Sequence, residues 1–72
     1  MKIVECHSEF AYAERPVALT WEGQRSEIAS IIAAWRVPER RCFRVQTRDG
    51  RLFELTYREA DDVWQIHPLT GG

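Results

Sequence analysis

The sequence predicts a small all-β domain, a meander or partly closed barrel of about five or six strands. Three observations carry this. Short runs rich in β-branched and aromatic residues alternate with period two. Turn-forming residues punctuate those runs at short intervals. At 72 residues the chain has room for one domain with one modest core. Residues 26–37 keep an alternative open, a β-grasp-like α+β fold with a single helix there.

Ile3 to Phe10 reads as a first strand, with Val4, Cys6, Ser8 and Phe10 on its more apolar face. Ala11 to Pro16 is a connection. Pro16 has no amide hydrogen to give a ladder, which suits the first residue of a strand. In the next strand Val17, Leu19 and Trp21 point one way, and Ala18 and Thr20 the other. Glu22-Gly23-Gln24 is a turn.

Local pattern favours a helix for Ser26 to Val37. Ile28, Ile31, Ile32 and Trp35 follow the i, i+3, i+4, i+7 spacing of one helix face. Ser26 is a capping residue type, and Pro38 would stop a helix at Val37. A strand reading also exists, in which Ile31, Ala33, Trp35 and Val37 alternate and a bulge near Ala29-Ser30 keeps Ile28 on their face.

Cys42 to Arg58 is the most sharply determined part. Phe43, Val45 and Thr47 share one face of a strand; Phe53, Leu55 and Tyr57 share one face of the next. A two-residue Asp49-Gly50 loop would set Val45 opposite Glu54 and split the apolar faces. A three-residue loop, Arg48 to Gly50, sets Val45 opposite Phe53, Phe43 opposite Leu55 and Arg44 opposite Glu54. Gly50 then takes the left-handed conformation of a bulged turn. Arg58 to Asp62 is a polar turn, and Asp62 to His67 a last strand with Trp64 and Ile66 inward. Residues 1–68 form the globular unit, and 69–72 a flexible tail.

Composition narrows function mainly by exclusion. The net charge is −1, with 44% hydrophobic and 29% charged residues. No general attraction to nucleic acid or to anionic membrane follows from that balance. No apolar run approaches the ~18 residues that span a bilayer, so no membrane partner is expected. The first residues break their apolar character at Glu5 and lack a signal-peptide core, so a cytoplasmic protein is expected. Cys6 and Cys42 are then reduced thiols.

Catalytic and metal sites are not expected, and no cofactor is. Cys6, His7, Cys42 and His67 are zinc-ligand types without a zinc-ligand spacing. Buried cysteines and solvated histidines account for them better. A Cys42–His67 nucleophile pair lacks any glycine-rich oxyanion turn. Glu59, Asp61 and Asp62 read as a solvated acidic turn. Trp21, Trp35 and Trp64 are expected to pack in the core.

The arginines stand out. Arg36, Arg40, Arg41, Arg44, Arg48 and Arg51 fall within sixteen residues. Arg40, Arg44 and Arg48 share the outer face of one strand in the preferred register. A basic face beside an aromatic suits phosphate contact and base stacking. The plainer account is an Arg44–Glu54 pair with the others solvated, protecting a sheet edge. Arg40, Arg44, Arg48 and Arg51 are the candidate binding residues.

Two resemblances add expectations. The end of the chain, Asp61 through Gly71-Gly72, resembles the sulfur-carrier and ubiquitin-like proteins, where a strand feeds a tail ending in two glycines. That resemblance implies a carrier acting through Gly71 and Gly72, and the helix of a β-grasp fold at residues 26–35. The second covers roughly Tyr12 to Ile66. It runs through Glu14-Arg15-Pro16-Val17, Trp21-Glu22-Gly23, Trp35-Arg36, Phe43-Arg44-Val45, Asp49-Gly50, Phe53-Glu54-Leu55 with Tyr57, and Trp64. This order resembles a group of short bacterial proteins without assigned function, some related domains of which occur near translesion DNA polymerases. The resemblance implies a β-rich fold in which residues 26–37 continue as a long bent strand, and it transfers no catalytic residue. The expected function is a non-enzymatic binding or accessory module. Its partner would be a protein or a nucleic acid, in DNA maintenance by resemblance alone. The alternative is the Gly71-Gly72 carrier.

Overall fold

A computed structural model describes residues 3–6 and 15–69. Among them are six strands: β1 (Val4–Cys6), β2 (Pro16–Trp21), β3 (Gln24–Val37), β4 (Arg40–Thr47), β5 (Leu52–Arg58) and β6 (Val63–Pro68). They form one antiparallel sheet in the order β1-β2-β3-β4-β5-β6, curled into a half-barrel. The fold is all-β, and no helix occurs among the described residues.

The β4–β5 hairpin has the register that burial demands. Val45 lies opposite Phe53, Phe43 opposite Leu55 and Arg44 opposite Glu54. The loop is Arg48 to Gly50, and Gly50 has φ +88°. At its base the Thr47 hydroxyl donates to the Asp49 carboxylate and accepts the Arg51 N–H at 3.2 Å. Phe43, Val45, Phe53 and Leu55 join Ile66 of β6, and β1 and β2 fold over them with Val4 and Leu19. Trp21 meets Phe53 edge-on, with ring centroids 6.5 Å apart. Trp64 lies against Phe43 and Tyr57 at 5.9 and 5.0 Å.

β3 overturns the helix that local spacing favours, and with it the β-grasp alternative. Its first residues pair with β2, from Ala18↔Glu27 to Trp21↔Gln24. From Ile28 to Val37 it pairs with β4. The register skips Ala29 and again Ile32, so β3 carries two bulges where one was expected. Each bulge puts residues three apart on the same face. Ile28 and Ile31, opposite Thr47 and Val45, both face inward across the first. A twice-bulged strand thus reproduces the i, i+3 spacing of a helix.

The bulges also correct two side-chain assignments. Trp35, expected in the core, pairs with Cys42 on the outer face and is 37% exposed. The extra residue Ile32 reverses the alternation after Ile31, so Ala34 instead takes the inner row beside Phe43. Val17, expected inward with Leu19, is 39% exposed, because β1 pairs Glu5 with Ala18 and Cys6 with Pro16 and skips it. The first strand's predicted extension to Phe10 lies outside the described residues beyond Cys6. At Leu69 the chain is still tied to the sheet, its N–H donating to the Leu52 carbonyl at 2.8 Å.

Candidate contact surface

The outer face of β4 is built by alternation. Val45 and Phe43 point in, so Arg44 and Arg40 must point out. Both are exposed, as is Arg48 in the turn that follows. Four strand residues rise about 13 Å, so Arg40 and Arg44 are too far apart to share one small anion. They line an extended track instead.

Arg44 does not pair with its register partner Glu54. Its guanidinium carbon sits 5.7 Å from the centroid of the Trp35 ring. Such a cation–π contact at an exposed site is worth about 0.5–1 kcal/mol. It keeps the cation in water and leaves its hydrogen-bond donors unused. Arg40 and Arg48 have no ion-pair partner among the described residues. Trp35 is the member of this surface that sequence reasoning missed. Only the second bulge exposes it, and no local residue signals that bulge.

Arg51 belongs elsewhere. Its guanidinium lies 5.2 Å from the Phe53 ring, bonds Asp49 at 3.1 Å and reaches Ser26 of β3 at 3.1 Å. Ser26 is buried. The side chain therefore ties the hairpin turn to the start of β3. Three further ion pairs are also structural in form. Arg25 grips the Glu5 carboxylate at 2.7 and 3.2 Å, Arg36 meets Glu59 at 2.7 Å, and Arg58 meets Asp61 at 2.8 Å.

These contacts polarise the acids. The hydrogen bond from Arg25 holds Glu5 below its ordinary value, against an opposing desolvation. The Thr47 hydroxyl does the same for Asp49, with Arg51 adding to it, and the Arg58 guanidinium does so for Asp61. All three carboxylates are thus ionised at neutral pH.

The other candidate constellations stay apart. Cys42 is buried beside Trp35 and opposite Thr56. His67 stands on β6 opposite Glu54, with β5 between it and Cys42 and two residues of offset along the strands, a separation of about 12 Å. Among the described residues no three or more His, Cys, Asp or Glu side chains gather as metal ligands do. Glu59 and Asp61 are taken by arginines. His7, Gly71 and Gly72 lie outside the described residues. No helix among the described residues is long and apolar enough to cross a membrane.

Comparison with protein-family models, with curated proteins and with solved structures finds no match.

Proposed function

We propose that this chain is a non-enzymatic binding or accessory module that grips an anionic partner with the outer face of β4. One observation carries the reading. Arg40 and Arg44 stand on that face with Arg48 exposed in the turn that follows, and the Arg44 cation rests on an exposed tryptophan rather than on a carboxylate. Arg25, Arg36, Arg51 and Arg58, by contrast, are each tied to an acid of the same chain. Unpaired guanidinium groups on a regular strand are prepaid for carboxylate or phosphate, because no internal pair has to break first. An overall charge near zero supports a short-range contact rather than long-range steering.

The resemblance to bacterial proteins found near translesion polymerases supports a partner in DNA maintenance, nucleic acid or protein. The carrier reading through Gly71 and Gly72 loses its support from the fold, since residues 24–37 form a strand where a β-grasp protein has its helix.

The test is titration of the labelled chain with a dT oligonucleotide and with polyglutamate at low salt. At least one should bind, with affinity falling as salt rises. The triple variant Arg40→Glu, Arg44→Glu, Arg48→Glu should bind neither. A wild-type chain that binds neither polyanion ends the reading.

A further inference from the structure

β3 is fourteen residues long, yet β2 covers only Gln24 to Glu27. From Ile28 to Val37 one side of β3 pairs with β4, and the other side pairs with no described residue. An open strand edge presents a row of backbone donors and acceptors that another strand can take up. The β6 edge is blunted, because that strand ends in Pro68, which has no N–H to offer. The β3 edge carries no lysine and no proline, and its single charge, Arg36, is held by Glu59. After the second bulge, residues 33–37 run regularly, with Ala33, Trp35 and Val37 outward.

The surrounding charge selects the occupant. Arg44 stands beside Ala33 on the outer face, and Arg40 beside Val37. A second copy of the chain on the same edge would bring its own Arg40 and Arg44 toward these. Like charges would then approach one another across a two-fold axis, with Glu54 on the far side of β4 from that axis. An acidic strand meets the opposite situation. It would lie about 10 Å from β4, with β3 between. Ala33 offers only a methyl group in that gap, and Arg44 already leans across β3 toward Trp35.

We infer that residues 33–37 accept an extended acidic segment of a partner protein as a seventh strand. Its outward side chains follow the order acidic, any, apolar, any, acidic. The apolar one lies on Trp35, and the carboxylates reach Arg44 past Ala33 and Arg40 past Val37. Main-chain hydrogen bonds supply the docking and the alternate side chains the selectivity. The inference rests on the reading of the β4 face given above, and narrows its partner to a peptide.

The experiment uses a short labelled peptide containing Glu-Thr-Leu-Thr-Glu, and a second with lysine for each glutamate. Binding is followed by anisotropy, and amide exchange of residues 29–37 by NMR with and without peptide. The acidic peptide should bind and the lysine peptide should not. Arg44→Glu should weaken binding roughly tenfold or more, as loss of a charge-assisted pair does. Amides along the open edge should become protected in the complex. Binding with unchanged exchange overturns the added strand but leaves the arginine face as the contact. A dT oligonucleotide that binds where the peptide does not has the same meaning. Failure of both ligands ends both readings. A chain that sediments as a dimer with these amides already protected assigns the edge to a second copy, and overturns the inference.

Discussion

The β4–β5 hairpin and the second half of β3 are neighbours in one sheet, yet they are held by different means. The hairpin is paired on both sides and buries Phe43, Val45, Phe53, Leu55 and Tyr57 in an unbroken alternation. A one-residue slip of either strand there would turn its whole apolar set to water, Phe43 and Val45 or Phe53, Leu55 and Tyr57. Beyond Ile31, β3 puts only Ala34 and Arg36 on its inner row. A slip there exposes almost nothing, so the strand can take an extra residue at Ile32. Side-chain burial, more than backbone pairing, decides where a register is fixed.

Core truncation breaks the comparison most sharply. Phe53 is 1% exposed, and Phe53→Ala should cost about 3–5 kcal/mol, close to the whole stability of a domain this small. Urea denaturation should find it largely unfolded. Trp35→Ala removes an aromatic ring as well, but from the outer face, and should cost about 1 kcal/mol or less. Equal losses at the two positions would place Trp35 in the core after all.

The turns at the two ends of β4 give a finer contrast. Gly50 has φ +88° and Glu39 has φ +65°. Nothing lies within 4 Å of a Cβ built on Gly50, so Gly50→Ala should cost the backbone strain alone, about 1–2 kcal/mol. Glu39 already carries such a strain. Glu39→Gly should therefore raise stability by up to about 1 kcal/mol, read as a higher urea midpoint.

Acid separates the same regions more gently. The folded-state values of Glu5, Asp49 and Asp61 all lie below their ordinary ones. In the intervening range the unfolded chain binds more protons, so stability rises with pH there. The contribution is complete above the ordinary values of 4.5 for Glu5 and 3.8 for the aspartates, and is lost as pH falls through the lowered ones. Melting temperature should be flat from neutral pH to about pH 5 and then drop. Asp49→Asn should lessen that drop, with the change felt at the hairpin turn. An unchanged acid limb would remove Asp49 from the account.

The parts legible in the sequence are those where burial leaves one choice. The loop of Arg48 to Gly50 follows from requiring Val45 and Phe53 on one side, and the outward Arg40 and Arg44 follow from that. The bulges are not legible. Ile32 is one more β-branched residue in a run of them, and whether it joins the ladder depends on β4, not on its neighbours in sequence. The outward turn of Trp35 is therefore hidden in the sequence, and so is that of Val17, which the irregular β1–β2 ladder skips. Arg51 escaped for another reason. Its partner Ser26 lies far back along the chain and is brought near only by the handover of β3 from β2 to β4.

The strand order has a kinetic consequence. Each strand of the sheet lies beside the one before it in the chain, and no connection crosses over. Ordering the molecule requires closing only short loops, one hairpin after another, and no distant ends must meet before contacts reward them. The chain should therefore refold faster than β-sandwiches of similar size, with β4–β5 as the place where the transition state first takes shape.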